Sequence, residues 1–273
     1  MALRLSFYKG KSVLVTGAAN GLGAAVSRKL AETGARLILL DKDQDALHQL
    51  CSELQAFDNN PTAVVVDISL PEQIDSLLTS HLQDLKCLDI LINNAAVSHQ
   101  GHVSEMNPSD FSWVVNTNLV GTYHCIKFLI PHLQRSEQAM IVNVISGIAF
   151  HGLPGFSAYA ASKAGLRSLT QSLRYELAAS GIQVKGVFPG PIKTLIPTRS
   201  RHTTSALRER EMSYLQNQGY DPDIVANQLL IKVLGHTNDI LLSMEVKTGF
   251  WINRLFPGIL SWFIRHHRDK LPL

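Results

Sequence analysis

Seven short apolar runs, separated by stretches of helical periodicity, constrain this chain more than any other feature. The runs cover residues 12–16, 36–41, 62–67, 88–93, 140–145, 182–188 and 239–243. They are rich in Val, Ile and Leu and do not alternate apolar with polar, which predicts strands buried on both faces. The intervening stretches, 44–57, 72–85, 160–179 and 222–234 among them, predict helices. Sustained alternation of this kind predicts an α/β chain: a three-layer, doubly wound fold with helices on both faces of a mostly parallel seven-stranded sheet. With 273 residues, 45% of them hydrophobic, the chain can bury a core of that size in one domain, expected over 1–245. Residues 246–273 read as a separate extension.

In such sheets ligands bind beyond the carboxyl ends of the strands. The first run leads into Gly17-Ala-Ala-Asn20-Gly21-Leu22-Gly23 and then a helical pattern. Strand, glycine-rich turn and helix together form the setting in which glycines let a backbone approach a pyrophosphate, and the helix offers free N–H groups and a positive dipole end. A tight turn with no ligand would share the pattern. Asp41 ends the second run, where a carboxylate can accept from ribose hydroxyls and repel a 2′-phosphate, favouring NAD over NADP. Lys42 is a counter-signal, and Asp41, Asp43 and Asp45 are all possible helix caps. Asp67 ends the third run and could serve adenine or simply a turn before Pro71. The Asn93-Asn94-Ala95-Ala96 segment could admit a cofactor or merely brace strands.

The stretch 146–163 carries the proton chemistry. Tyr159 and Lys163 are four apart and share a face on one helix, and Ser146 lies at a strand exit where it could point to the same spot. A free phenol, with a pKa of about 10, is a poor base near neutrality, and a nearby ammonium is expected to lower that value. Tyr159 could then exchange a proton with an alcohol or ketone oxygen held by Ser146. A core tyrosine beside a solvated lysine would give the same spacing.

Taken jointly and in order, Thr16-Gly17-x-x-x-Gly21-x-Gly23, Asp67, Asn93-Asn94-Ala95, Asn118, Ser146, Tyr159-x-x-x-Lys163 and Pro189-Gly190 resemble the short-chain dehydrogenase/reductase family over residues 11–194. Ala96 departs from the family's usual glycine. The resemblance implies a Rossmann fold, Tyr159 as general acid/base, Lys163 on the nicotinamide ribose, and Ser146 on the substrate oxygen. It also implies a proton-relay water held by Asn118, preferred over Asn116 for the Leu-x-Gly that follows. Thr194 would bond the carboxamide. Leu22, Asp67, Ile68, Asn94, Pro189, Gly190 and Ile192 would complete the cofactor contacts. Residues 194–220 stand where the family holds a substrate lid, though a solvated surface helix, which 207–212 suits, would read the same, and the resemblance implies a homo-oligomer, a dimer or tetramer.

A net charge of +3 gives no case for nucleic acid. The three cysteines lack metal spacing, so no metal is expected, and they fit reduced thiols in an intracellular protein. No signal-peptide core or spanning segment is apparent. A serine hydrolase is disfavoured, since Gly155-Phe-Ser-Ala-Tyr159 lacks the elbow's last glycine. The expected activity is interconversion of a secondary alcohol and a ketone with NAD, on a hydrophobic substrate of sterol, retinoid or long-chain type. An NADPH-dependent ketoreductase and an idle nucleotide-binding sensor are the alternatives. Residues 249–264 are apolar and aromatic and lead into Arg265-His-His-Arg-Asp-Lys270. That pattern suits either peripheral contact with a membrane or burial against protein. The chain is thus expected in the cytoplasm or peripherally at a membrane.

Overall fold

The computed structural model describes residues 2–267; the end of the basic run, 268–273, lies outside them. Nine strands form: β1 Ser12–Thr16, β2 Arg36–Asp41, β3 Thr62–Val65, β4 Ile90–Asn93, β5 His99–Gln100, β6 Met140–Val144, β7 Gln183–Phe188, β8 Arg201–His202 and β9 Asp239–Leu241. Seven of them make one sheet in the order β3-β2-β1-β4-β6-β7-β9, and every pairing in it is parallel. The helices are α1 Ala2–Leu5, α2 Gly21–Glu32, α3 Gln44–Leu54, α4 Pro71–Ser80, α5 Pro108–Val115, α6 Thr122–Leu133, α7 Ser157–Glu176, α8 Ile196–Arg199, α9 Ser205–Gln218, α10 Pro222–Lys232, α11 Met244–Leu255 and α12 Pro257–His266.

Alternate residues of each strand feed opposite cores. Val13, Val15, Leu37 and Leu39 pack with α2, α3 and α10, while Leu14, Ile38 and Leu40 pack with α4, α6 and α7. Burial on both faces explains why the runs read as unbroken apolar stretches. The predicted helix over 72–85 stops at Ser80, and the predicted strands 62–67, 88–93 and 239–243 are each shorter by two residues at one end. Asp43 caps α3, accepting from the Ala46 N–H, and Asp221 caps α10. The cap role open to Asp41 is therefore taken by Asp43.

The sheet order reverses direction between β1 and β4. That switch point opens a crevice at the carboxyl ends of these strands. Everything in the next subsection sits around it.

Candidate active site

The glycine turn is held by the protein itself. Gly17 adopts φ +61°, and a Cβ there would sit 2.6 Å from the Ala95 backbone, while one on Gly23 would sit 1.9 Å from the Gly17 carbonyl oxygen. These two glycines are thus required by backbone packing, before any ligand is considered. Asn94 locks the same corner: its side-chain amide donates to the carbonyls of Thr16 and Gly17, and its N–H donates to Thr16 Oγ1. Asn94 therefore braces β1 against β4. Asp41 is buried and its carboxylate accepts the N–H groups of Ala19 (2.9 Å) and Asp43 (3.0 Å). It stands at the turn, where the sequence places it.

A dinucleotide fits this corner on two observations. Asn20 precedes α2 without capping it through its side chain, and its Nδ2 is buried with no partner. An anion at the helix N-terminus would satisfy both. Thr194 comes to the same place, its methyl 2.9 Å from where a Gly21 Cβ would be. Pro189, Gly190 and Ile192 lie on the segment between β7 and Thr194, and Ile192 bridges to Tyr220. Leu22 and Ile68 are buried, Ile68 against Gly121. Asp67 accepts from the N–H and hydroxyl of Ser69, so in this structure it serves the turn.

Ser146, Tyr159 and Lys163 converge. Ser146 follows β6, its hydroxyl lies near enough to the Tyr159 phenol to lower the phenol's pKa, and its Oγ accepts the Ile148 N–H. Lys163 lies one turn on from Tyr159 in α7, its Nζ 5.7 Å from the phenol ring centroid, and donates to the Val144 carbonyl at 3.0 Å. Burial pulls the Lys163 ammonium down to about 7. The phenol is pushed up to about 12, first by burial and then by the Glu211 carboxylate, with the Ser146 hydroxyl opposing. The expected lowering of the phenol by Lys163 does not appear. Burial governs both groups, and Lys163 is itself driven toward neutrality.

Asn118 lies in a π-helical turn, Asn116–Gly121, between α5 and α6, a local device frequent at functional sites. It is buried where Asn116 is exposed. Its side chain accepts the Val97 N–H (2.8 Å) and donates to the Val97 carbonyl and to Ser162 Oγ. It is thereby fixed to α7 beside Lys163.

Sequence reasoning missed the residues contributed by the lid. Glu211, expected on a solvated face, is buried and accepts or shares a proton with His202 Nε2 at 2.7 Å. Burial raises its carboxyl, and His202 opposes. β8 pairs in parallel with β5, Arg201 bonds Asp110 (2.5 Å) and lies over the Trp113 ring, and Arg199 pairs with Asp43. These anchors join positions far apart in sequence. The alternation of charge over 199–211 was the available signal, and it also fits a surface helix.

The chain matches the family model "short chain dehydrogenase" over residues 11–205. A 3-oxoacyl-[acyl-carrier-protein] reductase of Thermotoga maritima is 32% identical over 71% of this chain and 81% of its own. The (2S)-[(R)-hydroxy(phenyl)methyl]succinyl-CoA dehydrogenase subunit BbsD of Thauera aromatica is 30% identical over 81% of this chain and 88% of its own. Among solved structures, a short chain dehydrogenase/reductase from Burkholderia phymatum in complex with NAD superposes with a TM-score of 0.83, at 26% identity, over 92% of this chain and 95% of that one. The glycine corner, the Ser146–Tyr159–Lys163 convergence and these likenesses agree: the chain belongs to the short chain dehydrogenase family of oxidoreductases.

Proposed function

We propose that the protein interconverts a secondary alcohol and a ketone on a hydrophobic substrate, with NAD as the preferred cofactor. The observation that carries this reading is the convergence of the Ser146 hydroxyl and the Tyr159 phenol, close enough for the hydroxyl to lower the phenol's pKa, with Lys163 one helical turn away. Bound nicotinamide would supply the hydride acceptor or donor. The remaining work falls to this chain. In oxidation Ser146 Oγ holds the substrate oxygen, and Tyr159 Oη takes the hydroxyl proton as the carbon-bound hydrogen leaves with its electron pair. In reduction the same phenol returns the proton. Lys163 would hold the nicotinamide ribose and Asn118 a relay water. Gly17, Asn20, Gly21, Leu22 and Gly23 would hold the pyrophosphate, with Thr194 on the carboxamide.

Asp41 supports NAD, since a buried carboxylate at the ribose position repels a 2′-phosphate. Lys42 points its ammonium at the Trp113 ring, 5.8 Å from the centroid, and Arg28 is paired with Glu53. Hydrophobicity of the substrate is supported by the aromatic wall beside Ser146, where Phe150 stacks on Phe188 at 4.6 Å and meets Phe250 at 4.8 Å. One observation favours the NADPH-ketoreductase reading: Arg199 reaches Asp43, two residues from Asp41, and could turn to a 2′-phosphate. The reductase names among the relatives point the same way. Purified protein offered both cofactors and a panel of apolar alcohols and ketones separates these readings by the absorbance of reduced cofactor. Turnover with NAD that disappears in Tyr159→Phe supports the proposal. Preference for NADPH transfers it to the ketoreductase, and cofactor binding with no turnover on any substrate leaves only the sensor.

A further inference from the structure

The C-terminal helices leave their apolar side chains in solvent. Trp251, Leu255, Phe256, Ile259, Trp262 and Phe263 are each about half exposed or more, between 48% and 60%. Within α12, Ile259, Trp262 and Phe263 follow the i, i+3, i+4 spacing of one face, and α12 has no buried residue. A contiguous apolar patch of this kind on a folded chain marks a contact surface. Its flanks are basic. From 246 to 267 the charged side chains are Lys247, Arg254 and Arg265, with His266 and His267, and the segment contains no Asp or Glu. The nearest acid among the described residues, Glu245, is engaged by the Tyr220 hydroxyl at 2.8 Å.

We propose that α11 and α12 form a hairpin that docks the protein on an anionic phospholipid surface. Charge decides between a lipid surface and a second copy of the chain. A two-fold contact sets the same patch against itself, so Arg254 and Arg265 would face their own kind with no acid among the described residues of the patch to pair them. Phospholipid headgroups supply the missing negative charge, and tryptophans flanked by arginines suit the boundary between headgroups and acyl chains. The hairpin lies on the surface and does not cross it, since no helix among the described residues is long and apolar enough to span a bilayer.

The hairpin is rooted beside the site. Val246 packs where a Gly147 side chain would be, the Asn253 amide donates to the Phe150 carbonyl at 2.7 Å, and Phe250 meets Phe150 edge-on. Docking would thus place the loop after Ser146 against the lipid surface, where an apolar substrate concentrates. That last consequence rests on the proposed activity; the docking does not.

Flotation of the full chain with vesicles tests the docking independently of catalysis. The vesicles are phosphatidylcholine alone and phosphatidylcholine mixed with phosphatidylglycerol. The expected result is binding to the mixed vesicles that falls as salt is raised. Arg254→Gln and Arg265→Gln should each weaken it about five-fold, and Trp262→Glu with Phe263→Glu should abolish it while circular dichroism and melting stay as in the parent. Trp251 and Trp262 emission should shift to the blue on binding. Absence of binding to either vesicle overturns the proposal. So does a double glutamate variant that floats like the parent, or one that changes only the oligomeric state in sedimentation, which would assign the face to a second copy.

Discussion

At the scale of single residues, the two titrating groups of the site are displaced in opposite directions by the same cause. Burial disfavours charge on Lys163 and on Tyr159 alike, so the lysine falls to about 7 and the phenol rises to about 12. The lysine has a consequence for stability. Between about pH 7 and its ordinary value of 10.5, the unfolded chain binds a proton at this position that the folded chain releases. Stability from this group is therefore complete above 10.5 and declines as pH falls through 7. Lys163→Met removes the dependence. Its melting temperature should exceed the parent's by on the order of 5 °C at pH 7, and the gap should close as pH approaches 10. Scanning calorimetry across that range checks it; a constant gap would mean the ammonium is solvated. For catalysis, Tyr159→Phe should lower turnover by a factor of about 10²–10⁴ while leaving cofactor affinity within a few-fold, read by fluorescence titration.

At the scale of elements, the segment 194–220, expected as a substrate lid, is tied to distant parts of the chain. The β5–β8 pair, the Arg201–Asp110 bond and the Arg199–Asp43 pair fasten it at residues 199–202, and α9 then carries Glu211 to where its charge acts on Tyr159. A negative charge there holds the phenol protonated to higher pH. Glu211→Gln should accordingly shift the rising limb of alcohol oxidation toward acid, since oxidation needs the phenolate. His202 remains buried beside the new amide, so the lid's position is expected to persist. A pH–rate profile that superposes on the parent's would show that Glu211 does not act on the phenol during turnover. None of these lid contacts was legible in the sequence. Residues 205–218 have weak helical amphipathicity, and the burial of Glu211 depends on a partner supplied by a different element. By contrast, Ser146, Tyr159 and Lys163 were legible because one strand exit and one helical turn suffice to bring them together.

At the scale of the molecule, the sheet was readable because burial on both faces forces each strand to be apolar throughout, and the glycine corner because close backbone contact at Gly17 and Gly23 admits no side chain. What the apolar runs concealed is a polar seam through the middle of the protein. Asn93 on β4 donates to Asn143 on β6 at 2.8 Å, and Asn143 donates to Thr170 Oγ1 on α7 at 2.9 Å. The Thr170 hydroxyl donates in turn to the Leu166 carbonyl. Asn143 sits inside a run read simply as apolar, and no local pattern distinguishes a buried amide with partners from one without. The seam ties the central strands to the helix that carries Tyr159 and Lys163, so it also sets the height of that helix over the sheet. Thr170→Val keeps the shape and removes the acceptor, leaving the Asn143 Nδ2 donor buried without its Thr170 acceptor. The expected cost is about 1–3 kcal/mol, seen as a lower midpoint in urea with an unchanged slope. Thr170→Ser retains the hydroxyl and should recover most of the loss, with only the methyl's packing missing. If valine is as stable as threonine, the amide has found another partner and the seam does not couple the sheet to α7. If valine is destabilising and serine is not, the bond itself holds the two layers in register, and Lys163 keeps its reach to the Val144 carbonyl through it.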